Sequence, residues 1–481
     1  MAYSNAHRRG LYVFTFAEFW DRFSFYGLQA VLVLYATQAL LFTDNQAYAL
    51  YGVFTALTFA TTVLGGILAD RLLGMRQTII MGASLVILGN SLLFLAGQHF
   101  LYLGLSLIVC GIGLFKPNSA SYVGALYKDT EAKSERAFSI FYAGMNAGAL
   151  LGPVAYGYIA HRYGWLLGFG LSALGMLSSL TLFLCTKIKA VENKPSTVRL
   201  SVKTIIYIVL LIAIALFALL LQHPRLFGRL LLFIGLLTVI GLGIAAFKGS
   251  ESDRKRILGL SILIFFCIFF FAASLQTATT LTLFIERAVS RTILGFNIPT
   301  AMFLSIEPFF IILTAPWIGL FWTFLERKRC APSYATKIAS GLILAAASFT
   351  VFSLASLYNG TINHLSLVYL ILGNFLLGIG ELCVLPVALS AIAWLAPHYI
   401  RSTMMGVFFL SLAFSGYLAG AIAALVSNAS AHTPVVDYTK AFAEIAVLTF
   451  LIGLIMVAVN IKLRWLLQAS ADSHSREKSG P

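Results

Sequence analysis

Long apolar runs separated by short polar connections make up nearly the whole chain. They lie near 11–41, 47–71, 76–97, 100–127, 136–160, 164–187, 203–222, 229–247, 257–286, 297–325, 334–357, 364–395, 401–428 and 439–468. At a rise of about 1.5 Å per residue, runs of this length cross the hydrocarbon core of a bilayer. Window hydropathy therefore predicts about fourteen transmembrane helices. The first run breaks the apolar pattern with Glu18, Asp21 and Arg22. Spacings of three and four place these side chains on one helix face. Charge inside a spanning helix is costly, and it usually faces a bundle interior or a wet cavity. The alternative is a cluster at headgroup level, with Arg22 snorkelling to water.

Composition supports this reading. Of 481 residues, 59% are hydrophobic and 11% charged, whereas soluble domains carry about 25% charged residues. The chain reads as an all-α polytopic membrane protein. Its first run is too long and too charged for a signal peptide, so it is expected to be retained. The net charge of +15 does not point to nucleic acid, because no basic domain with interleaved aromatics occurs. Lys and Arg fall instead in alternate connections: Arg8 and Arg9, Arg71 and Arg76, Lys128 and Lys133, Lys187 to Lys203, Lys248 to Arg256, Arg327 to Arg329, and Lys462 with Arg464. The positive-inside rule makes those connections and both termini cytoplasmic. Residues 1–187 and 257–468 are expected to form two six-helix bundles. Residues 188–256 hold a polar linker and two plain helices expected to face lipid, and 469–481 read as a disordered cytoplasmic tail. Short loops without targeting signals suit a bacterial inner membrane, and a monomer is expected. The five cysteines are dispersed, so neither a disulfide framework nor a metal site is indicated. The histidines lie mostly at helix ends or in loops, with no nucleophile–base or metal spacing, which argues against an enzyme. No cofactor is expected.

Four stretches carry chemistry. Residues 65–76, GGILADRLLGMR, resemble the G-x-x-x-D-R-x-x-G loop signature of the major facilitator superfamily, filled by Gly66, Asp70, Arg71 and Gly74. The glycine permits close helix contact, and Asp70 with Arg71 can form a gating ion pair. The alternative is an ordinary positive-inside loop. Lys116 lies deep in an apolar run beside Pro117 and Asn118. A lysine there needs a partner or a wet cavity, and a proline within a spanning helix is tolerated where the helix lines one. Asn146 stands alone among small residues in 138–153 and suits interhelical glue or a ligand contact equally. Glu381, in GIGELCVLPVALSAIAW at 378–394, is a membrane-embedded carboxyl.

Together these motifs resemble a known family. Glu18-x-x-Asp21-Arg22-Phe23-Ser24-Phe25-Tyr26-Gly27 is similar to the E-x-x-E-R-F-x-Y-Y-G signature of the proton-dependent oligopeptide transporters. The Lys116-Pro117-Asn118 stretch, F-Y-x-x-x-N at 141–146 and Gly380-Glu381-Leu382 with Pro386 also match, in the family's order. The resemblance implies a major facilitator fold of two six-helix bundles plus two extra helices, working by alternating access. It implies uptake of di- and tripeptides with protons. Arg22 and Lys116 would lie near the peptide carboxylate and Glu381 near its amino group. Tyr26 and Asn146 would line the pocket, and Phe408 stands where relatives often carry tryptophan. Glu18 and Asp21, with Arg22 and Lys116, would join proton coupling.

Some positions depart from the pattern. Asp21 shortens the second carboxylate, and Phe25 loses a tyrosine hydroxyl. Leu275, followed by Gln276, stands where relatives carry glutamate before the glutamine, and Glu307-Pro308 replaces Asn-Pro. Two readings of function follow: a proton-coupled peptide symporter with Gln276 and Glu307 among its substrate contacts, or a member with altered substrate or weak coupling. Physical chemistry adds one expectation, that the carboxyl missing at Leu275 has moved to Glu307, where it joins proton coupling. The alternative is a protonated Glu307 that only bridges helices.

Overall fold

Apolar runs of this length satisfy their backbone in lipid by coiling into helices, where each peptide group bonds within its own segment. The computed structural model describes residues 2–126, 131–186, 200–293, 295–362, 367–429 and 434–468. Residues 187–199 of the expected linker at 187–203, and the expected tail at 469–481, lie outside the described residues.

Two compact units make up the chain, parting after Pro224. The first contains α1 (Ala2–Gln38), α2 (Asp44–Leu68), α3 (Met75–Ala96), α4 (Leu101–Leu126), α5 (Glu131–Tyr163), α6 (Leu166–Cys185) and α7 (Leu200–Gln222). It also takes in Thr292–Ser305, which holds a two-strand hairpin, Thr292–Ile293 with Phe296–Asn297, and a 3₁₀ turn at Thr300–Ser305. The second contains α8 (Pro224–Lys248), α9 (Glu251–Ser274), α10 (Thr280–Ala288), α11 (Ile306–Arg327), α12 (Tyr334–Ile362), α13 (Leu367–Leu395), α14 (Arg401–Ala429) and α15 (Pro434–Gln468). Because α9 and α10 form one interrupted span, Glu251–Ala288, the described residues hold fourteen long helices, in line with the sequence pattern. Twelve are long and apolar enough to cross a membrane on length and composition alone. The other two, α1 and α5, are 37 and 33 residues long and pack on each other.

Two boundaries differ from the sequence expectation. The run at 257–286 is broken by a 3₁₀ turn at Leu275–Ala278. The run at 297–325 becomes regular α-helix only at Ile306. Pro308 then falls in the first turn of α11, where a missing N–H leaves no helix bond unmade.

Small residues set the helix spacing in the first unit. Gly144, Gly148 and Gly152 form a stripe on α5 against α1. A Cβ at Gly148 would lie 2.9 Å from the Cβ of Arg22, and one at Gly152 would lie 2.6 Å from the Phe23 carbonyl oxygen. This small-xxx-small pattern lets two backbones approach inside a membrane, and it presses the charged turn of α1 into the unit. The signature glycine needs a correction. Gly66 faces open space, and it is Gly65 that lies directly against the Gly113 carbonyl of α4. The chain then tightens into a π turn at Ala69–Leu73, closed by Gly74 at φ +79°.

The two inserted helices divide between the units. In the first, Ile214 of α7 joins a cluster with Leu85, Cys110 and Leu114. In the second, α8 sets Gly235 against Phe414 of α14. Only 11% of the most apolar stretch of α8 is buried, against 72% for α4, as expected of a helix that faces lipid.

The adjacent glycines give a sharp test. Gly65→Ala should destabilise the protein by about 1–3 kcal/mol, the usual cost of overpacking. Gly66→Ala should be neutral or stabilising by up to about 1 kcal/mol, through helix propensity. Thermal unfolding of the two purified variants checks this, and equal behaviour would contradict the α2–α4 contact.

Candidate functional site

In the first unit, four charged side chains meet. Glu18, Asp21 and Arg22 come from one face of α1, and Lys116 from α4. Glu18 and Asp21 are each 1% exposed, and Arg22 is 8% exposed. Arg22 Nε donates to Glu18 Oε1 at 3.1 Å, and both side chains are buried inside the unit. Glu18 Oε2 accepts a second bond from Ser119 Oγ at 2.7 Å. A buried ion pair is tolerated only where its remaining lone pairs are satisfied, and Ser119 does this for Glu18. Asp21 differs, because both of its carboxyl oxygens are buried without a hydrogen-bond partner. It lies within electrostatic reach of Glu18, Arg22 and Lys116. Two carboxyls and two cations thus share one interior patch.

Lys116 is held by rings. Its ammonium lies 5.2 Å from the ring centroid of Phe59 and 5.7 Å from that of Phe25. Cation–π attraction seats a lysine without consuming its charge. The neighbouring Asn118 braces the α4 backbone, donating to the Leu114 carbonyl at 2.7 Å and across to the Gly65 carbonyl at 3.2 Å. Tyr26 is half-buried and acts electrostatically on Arg22. Asn146 is half-buried and donates to Tyr142 of its own helix at 2.8 Å rather than to a neighbouring one. Asp70 and Arg71 are exposed in the π turn after α2, and neither has an ion-pair partner among the described residues.

The second unit holds a carboxyl pair. Glu307 of α11 is 9% exposed and accepts from Ser274 Oγ of α9 at 3.3 Å. It lies within electrostatic reach of Glu381 of α13. Gln276 lies in the break between α9 and α10 and is fully buried. Its amide donates to the carbonyls of Ala272 and Ala419 and accepts from the hydroxyls of Thr279 and Thr280. All four of its hydrogen-bonding positions are therefore taken inside its own unit. Phe408 is likewise fully buried. The structure thus keeps both residues, expected from the sequence among the substrate contacts, away from any open surface.

Sequence reasoning missed four contributors. Ser119 lies three residues after Lys116, one turn along the same face, and that spacing was a usable signal. Phe25 read only as a lost hydroxyl, whereas its ring is part of the lysine seat. Nothing in the sequence singled out Phe59 or Ser274.

Matched charges held inside apolar helical units define an integral membrane protein with a polar interior. The chain belongs to the POT family, whose model matches residues 76–442. It is 33% identical to the peptide transporter YePEPT of Yersinia enterocolitica, covering 84% of this chain and 85% of that one. It is 31% identical to dipeptide and tripeptide permease A of Chromobacterium violaceum, covering 95% and 93%. Among solved structures, a peptide transporter POT in complex with sulfate superposes with a TM-score of 0.82 at 29% identity, covering 95% and 96%. A POT family transporter in complex with 5-aminolevulinic acid gives 0.83 at 28%, with the same coverage. The fold is that of the POT transporters within the major facilitator superfamily.

The interior patch makes a quantitative prediction. Arg22→Ala leaves Glu18 buried without its partner and should cost about 3–5 kcal/mol. Adding Glu18→Gln to that variant should recover part of the loss, since the uncompensated charge is gone. Thermal unfolding of the single and double variants measures this, and a double variant less stable than the single would contradict the pairing.

Proposed function

We propose that this protein is a proton-coupled symporter importing di- and tripeptides by alternating access. One observation carries the reading: each unit holds its own buried charged cluster, with cations in the first and a carboxyl pair in the second. A zwitterionic peptide needs both. Arg22 and Lys116 take its carboxylate and Glu381 its amino group, while Tyr26 and Asn146 contribute polar contacts. Glu18 and Asp21 exchange protons beside the two cations. Asp70 and Arg71 act in gating. Residues 1–187 and 257–468 are the two transporting bundles, 188–256 is an accessory insertion, and the protein works as a monomer.

Family membership and the names of relatives support peptides as the substrate class. A second reading, altered substrate or weak coupling, draws on Phe25 and Leu275 and on the related transporter found with 5-aminolevulinic acid, a zwitterion that is not a peptide. Uptake into proteoliposomes separates the two. An inward proton gradient should accumulate labelled dialanine above equilibrium, and a protonophore should abolish the effect. Lys116→Ala and Glu381→Gln should each slow uptake about tenfold or more, the cost of one charge-assisted hydrogen bond. Accumulation of 5-aminolevulinic acid but not dialanine favours the second reading. Unchanged dialanine uptake in both variants contradicts the site.

The loop charges support cytoplasmic termini, in the inner membrane of a bacterium. A single cysteine at 128–135 should be shielded from an impermeant thiol reagent added outside cells, and one at 287–296 should react. The reverse pattern excludes this orientation.

A further inference from the structure

We propose that a groove on the second unit binds one molecule of phosphatidylethanolamine, with an acyl chain in the groove and the zwitterionic headgroup across Lys440 and Glu444. The proposal does not depend on what the protein carries. Helices α14 and α15 both pack on α9 but meet each other little, and a groove of about 330 Å³ opens between them. Ala272 and Ala273 of α9 line it, together with Leu418 and Leu425 of α14 and Leu448 and Ile452 of α15. The two alanines are buried, whereas Leu425 and Leu448 are exposed. Small side chains thus make the depth of the groove and long apolar ones its rim.

Its dimensions suit one hydrocarbon chain. Along α15 the groove runs from Lys440 to Ile452, which is about 18 Å at a rise of about 1.5 Å per residue. Half of a hydrocarbon core about 30 Å thick is about 15 Å, so the groove spans one leaflet. Lys440 and Leu425 lie close to the ends of the apolar spans Tyr438–Asn460 and His398–Val426. That end of the groove is therefore at headgroup level, and the Ile452 end is near the midplane. The volume spread over this length leaves a channel about 5 Å across, whereas an α-helix is about 10–12 Å across. A single acyl chain fits, and a helix from a second copy does not.

The mouth selects the headgroup. Lys440 Nζ lies 3.8 Å from Glu444 Oε1, and both side chains are well exposed. That distance is too long for a hydrogen bond, and lysine one turn before glutamate is the weaker order for a pair on one helix. The pair does little for α15 itself. Helical side chains lean toward the N-terminus, so the Glu444 carboxylate reaches up toward the level of the ammonium. A lipid phosphate on Lys440 and a primary ammonium on Glu444 satisfy both charges. Phosphatidylglycerol brings an anion and no cation, which leaves Glu444 facing a phosphate. Phosphatidylcholine carries a quaternary ammonium with no N–H to donate. Of these three lipids, the ethanolamine one alone answers both ends of the pair.

Native mass spectrometry of the purified protein tests this, with phosphatidylethanolamine, phosphatidylcholine and phosphatidylglycerol of identical chains supplied in equal amounts. The ethanolamine lipid should outcompete each of the others about two- to fivefold, the worth of one exposed charge pair. Lys440→Gln combined with Glu444→Gln should abolish that preference, and both positions are exposed enough to leave the fold intact. Ile422→Phe, which narrows the groove from α14, should remove the tightly held lipid whatever its headgroup, with thermal unfolding as the check that this variant is folded. Equal binding of the three lipids by the wild type, a preference for phosphatidylglycerol, or a preference that survives the double variant overturns the proposal. Retention of the lipid by folded Ile422→Phe overturns the groove as its seat. A dimer that Ile422→Phe dissociates assigns the groove to a second copy and overturns the lipid as its occupant.

Discussion

A charge enclosed in an apolar bundle has to be matched, and the arrangement of both units follows from that constraint. Glu18 and Arg22 neutralise each other one helical turn apart, and Ser119 satisfies the second oxygen of Glu18. Lys116 has no carboxylate bonded to it among the described residues, and it rests on two aromatic faces. In the second unit, Glu307 accepts from Ser274 Oγ and lies within electrostatic reach of a second carboxyl, Glu381.

Packing is what makes the matching possible. The glycine stripe of α5 lets α1 come close enough to turn three charged residues inward. Gly65 lets α2 meet α4 beside the proline-bearing turn that carries Lys116. The electrostatics of the first unit thus depend on contacts made by residues with no side chain. In the second unit, the break between α9 and α10 is secured by Gln276, whose amide ties both sides of the break to α14. A rigid, fully bonded break next to Ser274 gives the carboxyl pair a fixed neighbour.

Much of this was legible in the sequence, for physical reasons. Charge inside apolar runs is so costly that Glu18, Asp21, Arg22, Lys116 and Glu381 stood out without any structure. Their spacing put the first three on one face. The sequence could not say which of two adjacent glycines meets a neighbour, since successive side chains point about 100° apart and only packing chooses between Gly65 and Gly66. It read Phe25 by what it lacks, whereas the ring face is what Lys116 uses. It ranked Gln276 and Phe408 by family position, and burial is a tertiary property that position does not encode. Glu307 stood out in the sequence as a carboxyl in an apolar run, but its neighbours did not, because only packing brings Ser274 of α9 to it.

The central claim is that a proton crosses the membrane with the peptide, and it is tested most directly by watching the proton. A pH-sensitive dye sealed inside proteoliposomes, with no pH gradient imposed, reports proton entry when dialanine is added outside. The account predicts that the lumen acidifies as the dipeptide enters. Entry of dialanine at the same rate with no change in luminal pH would contradict it.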